Sequence, residues 1–270
     1  MGTLLIDGAQ DHALPAPGSP SATQAWTGWV PSVGTGTLVA ASHGTSSPAG
    51  QRAIRALVDA VAAARPALRV EEAFVDVQTP GVPQVLAQAG DESRIVPLLL
   101  SSGYHTRHDL AEAARTVRAA TTARALGPDP RLAAVLLRRL AEAGLRRDDH
   151  VVLACAGSTD ERGVAECRAT AALLAERIGR RVETAFVSAA EPSVEHAVRT
   201  AVARREGGWF SRRRPRRGRV VVSTYLLAPG HFAARVAACG ADVVAQPLLV
   251  PGRPVPQELV EIVLERYDQP

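Results

Sequence analysis

Two spacings of apolar residues alternate along this chain. Short aliphatic runs read as buried strands at Leu38–Ala41, Val70–Val77, Arg94–Leu100 and, more weakly, Ala123–Leu126. Between them lie Ala-, Arg- and Leu-rich stretches of helical spacing, at Ala49–Ala64, Val82–Ala89, Leu110–Ala120 and Arg131–Ala143. Strands alternating with helices of about 10–15 residues predict βαβ units and a parallel sheet. The pattern then begins again. Strands are expected at His150–Ala156, Val182–Ser188, Arg219–Leu227 and Asp242–Gln246. Helices are expected at Glu161–Ile178, Pro192–Arg204, Phe232–Cys239 and Pro256–Tyr267. Residues 1–35 carry no apolar period and are rich in Gly, Pro, Ser, Ala and Thr, which predicts a disordered tail.

The two halves also match in sequence. Glu72-Ala73-Phe74-Val75, with Pro80 beyond it, echoes Thr184-Ala185-Phe186-Val187 with Pro192, and Ser102-Gly103-Tyr104-His105 echoes Ala228-Pro229-Gly230-His231. The offset grows from 112 residues at Phe74/Phe186 to 126 at His105/His231, and the Arg-rich run Arg212–Arg219 accounts for the insertion. A repeat of this length is a duplicated domain. The expected architecture is therefore α/β, two doubly wound parallel-sheet lobes at 36–145 and 146–270 facing each other across a cleft.

Composition narrows the function classes. No apolar run approaches the roughly 18 residues that span a bilayer, and no charged start precedes an apolar stretch, so a cytoplasmic protein is expected. Cys155, Cys167 and Cys239 are odd in number and scattered, which fits neither a disulfide framework nor a C-x-x-C metal pattern. All 31 basic residues are Arg, and the net charge is +4. Much of it lies in Arg212–Arg219, a run that reads first as a solvated loop and second as an attractor of acidic ligands or nucleic acid.

Candidate chemistry concentrates after two strands. The run from Pro97 ends in a Gly turn and His105 at the mouth of a helix; the run from Leu38 ends in His43-Gly44-Thr45. Loops after the carboxyl ends of parallel strands line the binding crevice, so two imidazoles are expected at one rim. Asp76 follows the intervening strand, and the duplicated positions are Ala156, Ser188 and His231. His43, Asp76 and His105 thus form an asymmetric set suited to Fe, Co, Ni or Zn. A helix start disfavours imidazolium, keeping His105 neutral. Asp109, one turn on, could orient the His105 ring or be an ordinary first-turn acid. Gly44–Pro48 lacks the glycine spacing of a nucleotide loop and reads as a turn capping the next helix.

Ser42-His43-Gly44-Thr45, Ala73 through Pro80, and Pro97 through Asp109 with its G-x-H-x-x-x-D pattern resemble the class II chelatases, and among them the sirohydrochlorin chelatase family. The resemblance covers about residues 36–268. It implies two flavodoxin-like lobes and ATP-independent, lyase-type insertion of a divalent metal substrate, Fe2+ favoured and Co2+ possible, into an acidic tetrapyrrole. The family's catalytic histidines map onto His43 and His105. Its acidic metal-site residue, commonly Glu, maps onto Asp76, one methylene shorter, and a second acid is replaced by Thr79. The expected substrate contacts are Ser42, Thr45, Ser101, Ser102 and Tyr104, with Arg107 placed for an acidic ligand. From the duplication, His231 faces the same cleft from the opposite lobe and is expected to contact the macrocycle or its acidic side chains rather than the ion, with Arg235 one helical turn on assisting. Two lobes in one chain make a self-sufficient cleft, so a monomer is expected. Two other classes are a non-catalytic divalent-metal-binding or delivery protein, and a nucleic-acid binder acting through Arg212–Arg219. The second has few aromatic stacking residues beside its basic run.

Overall fold

A computed structural model describes residues 36–90, 92–115, 120–206 and 218–269, without the side chains of residues 104–109 and 206. The tail at 1–35 and most of the Arg-rich run lie outside the described residues. Two four-stranded parallel sheets form. In the first, β1 (Thr37–Ser42) is flanked by β2 (Arg69–Phe74) and β3 (Ser93–Pro97), and β4 (Thr121–Thr122) pairs with β3. The second repeats that 2-1-3-4 order with β5 (His150–Cys155), β6 (Val182–Phe186), β7 (Val220–Tyr225) and β8 (Val243–Val244). The α/β, two-lobe architecture expected from the alternation is therefore present.

Each sheet is covered on both faces, as its continuous apolar strands require. In β1, Leu38 and Ala40 face a large inner core while Val39 and Ala41 face an outer one. In β5, Val151, Leu153 and Cys155 point inward, and Val152 and Ala154 outward. The outer layers are α2 (Val82–Ala89) with α3 (Tyr104–Arg115), and α6 (Val194–Glu206) with α7 (His231–Ala237). Between the sheets lie α1 (Pro48–Ala64), α4 (Pro130–Glu142), α5 (Glu161–Ile178) and α8 (Gln257–Asp268). Their starts are locally encoded. Ser47 Oγ accepts from Gly50 N, Asp129 Oδ1 from Arg131 N and Asp160 Oδ1 from Arg162 N, and Pro48 and Pro130 open α1 and α4.

The central helices are exchanged. Helix α4, contiguous with the first lobe in sequence, packs on α5 and β7 of the second, and α8 packs on α1 and β3 of the first. Two buried arginines seal the exchange. Arg266 of α8 donates to Ala125 O (3.2 Å), Leu126 O (2.9 Å) and Asp129 Oδ2 (3.1 Å). Arg139 of α4 donates to Pro247 O (3.2 Å) and Leu248 O (2.8 Å). A boundary at 145/146 separates the sheets but not the helices.

Several element ends differ from the expectation. Helix α3 starts at Tyr104, six residues before the Leu110 read from periodicity, because its first turn is polar. Strand β2 stops at Phe74, where Phe74 N bonds Pro80 O and the chain folds back, with Val77 at φ 66°. Strand β4 covers Thr121–Thr122, and Ala123 and Leu126 continue along β3 through bonds to Ile95 O and Leu99 O.

Candidate active site between the lobes

A cavity of about 500 Å³ opens between the lobes, lined by the loops that follow β1, β3, β5 and β7. On the first lobe, the chain beyond β1 stays zipped to the chain beyond β2: Val75 N donates to Ser42 O (2.9 Å) and Asp76 N to His43 O (3.0 Å). Gly44 sits at φ +92°, and a Cβ there would stand 2.1 Å from Asp76 O. Only glycine accommodates both demands. Thr45 N then donates to Gln78 Oε1 (2.8 Å), and Gln51 Nε2 donates to Thr45 O (2.8 Å). These bonds pin the loop that presents His43, exposed, at the cleft.

The second lobe repeats this device without the histidine. Val187 N bonds Cys155 O, Ser188 N bonds Ala156 O, and Gly157 takes φ +98° with Ser188 O 1.7 Å from where its Cβ would be. Ala156 and Ser188 thus stand where His43 and Asp76 stand. The lobes also touch reciprocally. A Cβ on Gly50 of α1 would meet Pro229 O at 2.4 Å, and one on Gly163 of α5 would meet Ser102 O at 2.1 Å. Each lobe's loop therefore rests on the first turn of the other lobe's central helix. Matching Ser102 with Pro229 in this way leaves one residue fewer between Pro229 and His231 than between Ser102 and His105.

Of the residues singled out from the sequence, Ser42, His43, Thr45, Ser101, Ser102 and His231 line the cleft. Ser42 is 4 % exposed, and its Oγ has no hydrogen-bond partner among the described residues. The backbone of α3 puts Tyr104, His105, Arg107 and Asp109 in its first two turns, directly after the lining residues Leu98–Gly103. Their side chains lie outside the described residues. Asp76 does not line the cleft. It is exposed, and its Oδ1 accepts from Val77 N at 2.7 Å. Arg235 likewise lies outside the lining and reaches Glu195 Oε1 at 3.6 Å. Among the described residues no three His, Cys, Asp or Glu side chains converge as a metal cage.

Residues not singled out from the sequence complete the walls. Val77 and Phe232, the exposed large hydrophobics among the described residues, are both at the cleft, as is Gln78. The second lobe supplies a polar floor. Thr170 Oγ1 donates to Tyr225 Oη (3.1 Å), which donates to Leu100 O (2.9 Å), and Cys167 lies beside them. Burial holds the Cys155 thiol and the Tyr225 hydroxyl well above their ordinary values, so both stay neutral donors. Hydrogen bonds from Cys155 and Ser101 draw Cys167 down. The signal for this floor lay in the repeat: Cys155, Cys167, Thr170 and Tyr225 occupy the places of Ser42, Ile54, Leu57 and Leu98.

Solved structures share this fold. SirB from Bacillus subtilis with Fe3+ superposes with a TM-score of 0.67 at 18% identity, over 87% of this chain and 96% of that one. SirB from Bacillus subtilis subspecies spizizenii in complex with cobalt gives 0.64 at 18% identity, over 87% and 97%. CbiX, described as the terminal enzyme for biosynthesis of siroheme in denitrifying bacteria, gives 0.59 at 23% identity, over 85% and 98%. No curated sequence matches the chain. Among the described residues no helix is long and apolar enough to cross a membrane. The CbiX family model matches residues 37–143 and 150–238, which include both loops that touch across the cleft, and the chain belongs to that family, the class II sirohydrochlorin chelatases.

Proposed function

We propose that this protein is a sirohydrochlorin chelatase that inserts a divalent metal substrate, Fe2+ in preference to Co2+, into the tetrapyrrole without ATP. The observation that carries the reading is the asymmetric cleft. The His43 loop and the chain entering the His105 helix bound it from the first lobe, and His231 faces them from the second. Insertion exchanges two pyrrole N–H protons for the metal, so the site must bind the ion, accept protons and exclude water. Imidazoles such as those of His43 and His105 are suited to both ligation and proton acceptance. Their placement on one lobe leaves the ion's remaining positions open toward the macrocycle.

The apolar rim at Val77 and Phe232 suits the faces of a flat conjugated ring, and the cavity is of the size that buries a small ligand. His231, with Ala156 and Ser188 in place of the other site residues, has no lobe-mates for a metal site and is assigned to the acidic side chains of the tetrapyrrole. Arg107 is assigned the same electrostatic role, and Arg235, which lies outside the lining beside Glu195, is assigned it only through rotation away from that partner. Asp76, turned to its own backbone in this structure, is assigned to the ion only through rotation of its carboxylate. The deciding experiment is anaerobic incubation with sirohydrochlorin and Fe2+, Co2+ or Ni2+, following the visible spectrum. Metal-dependent conversion is expected. Cobalt binding with no spectral conversion by any metal would overturn the enzyme reading in favour of metal delivery.

A further inference from the structure

The loop leading into the His105 helix is held by the opposite lobe at Leu100 and at Ser102. Leu100 O accepts from Tyr225 Oη at 2.9 Å, and Ser101 lines the cleft together with Cys167 of the second lobe. Ser102 is gripped at all its polar atoms. Its N–H donates to Glu166 Oε2 at 2.6 Å, its Oγ donates to Glu166 Oε1 at 3.0 Å, and its carbonyl faces Ser158 Oγ at 3.5 Å. Gly163, whose absent side chain leaves room for Ser102 O, lets α5 approach this closely.

The duplicated loop is an internal control. Its counterpart of Ser102 is Pro229, which has no N–H and no hydroxyl, and the counterpart of Glu166 on α1 is Ala53. That loop touches α1 through Gly50 and Pro229 O without a carboxylate bracket. The two-toothed, charge-assisted bracket therefore occurs on the loop that enters the histidine helix of the first lobe. A bond serving only to hold the lobes together would serve equally at either of the two reciprocal contacts.

We propose that Glu166 is a positioning residue, which fixes from the second lobe the Ser101–Gly103 turn and hence the start of the helix bearing His105. The proposal rests on the chelatase reading above. It deepens that reading by giving the second lobe a share in building the first lobe's metal-facing geometry, in addition to covering the substrate.

The test uses the full-length protein and two variants. Glu166→Gln keeps the side-chain shape but replaces one acceptor with a donor facing Ser102, and Ser102→Ala removes the Oγ donor alone. Loss of groups that orient metal-site residues commonly costs about 10–100-fold in affinity or activity. Glu166→Gln should therefore lower kcat for cobalt insertion and weaken binding of Co2+ alone within that range, with the tetrapyrrole KM changing far less. Ser102→Ala should do the same to a smaller extent, and the double variant should fall short of the summed effects, since the two share one interaction. Should Glu166→Gln fail to fold by thermal melting, Ser102→Ala carries the same two readouts alone. Unchanged kcat and cobalt affinity in an active background, or strictly additive effects, would overturn the inference and leave the chelatase reading standing. A wild-type protein that inserts no metal, while Glu166→Gln still weakens cobalt binding, would sink the chelatase reading and keep the positioning role. Absence of both insertion and cobalt binding in the wild type would overturn the two together.

Discussion

Ser42 Oγ is a buried hydroxyl in the cleft wall with no partner among the described residues, one position before the exposed His43. An unpaired buried polar group costs about 1–3 kcal/mol, so Ser42→Ala should leave the melting temperature unchanged or raise it. The same change should raise the tetrapyrrole KM if that hydroxyl meets substrate, which thermal melting and steady-state assay separate. His43→Ala and His105→Ala should lower metal insertion about 10²–10⁴-fold, the usual scale for losing a general base. His43 is an exposed loop side chain at the cleft and contributes little packing, so His43→Ala should melt like the wild type. His231→Ala should instead raise the tetrapyrrole KM more than it lowers kcat, because it removes binding shared by ground and transition states. Near-wild-type turnover in either His43→Ala or His105→Ala would remove that histidine from the mechanism.

At the scale of elements, the glycines of the central helices mark where the lobes meet. Replacing a glycine by alanine in a helix ordinarily stabilises, by up to about 1 kcal/mol in the interior and less in the first turn where Gly50 and Gly163 lie. At Gly163 the added Cβ would meet Ser102 O at 2.1 Å, and at Gly50 it would meet Pro229 O at 2.4 Å, both backbone atoms that cannot swing aside. The sign should reverse. Gly163→Ala and Gly50→Ala should each lower the melting temperature and, by pushing a cleft loop outward, reduce turnover. A melting temperature at or above wild type for both would show that the lobes are not in contact there. The sequence marked both positions only as residues of predicted helices, since a glycine's role depends on what approaches it.

Across the whole molecule, the exchanged helices make each lobe depend on the other. Arg266 is fully buried against Ala125 O, Leu126 O and Asp129, so Arg266→Met strands two carbonyls and part of a carboxylate. Breaking a buried pair from one side costs about 3–5 kcal/mol, which denaturant unfolding would resolve. Residues 36–145 expressed alone should fail to fold cooperatively, because α4 then has no α5 or β7 to pack on and α1 loses α8. Burial works to raise the Asp129 carboxyl, but hydrogen bonds from Arg131 and Arg266 outweigh it and hold the group below its ordinary value. A lowered folded-state value contributes stability above the ordinary carboxylate range, about pH 4, and that contribution is lost as pH falls through the folded value. Asp129→Asn should therefore lower stability at pH 7 and flatten its acid dependence. An acid limb identical to wild type would assign the acid sensitivity elsewhere.

The sequence by itself determined the alternation of strands and helices, the duplication and the strand-end positions of His43, Asp76 and His231. These are local or internally repeated signals: an apolar run of four to eight residues reads as a buried strand wherever it occurs, and a repeat is visible without any partner. The backbone equivalences His43/Ala156 and Asp76/Ser188 follow from it directly. Tertiary structure alone decided which helix covers which sheet. Amphipathic helices such as α4 and α8 show an apolar face but not the surface it meets. It alone turned Asp76 toward its own backbone and brought Tyr225, Cys167 and Glu166 against the loop before His105. Those contacts join residues 64 to 125 positions apart. Pairing at that range is set by how two lobes dock, and no spacing within either of them encodes it.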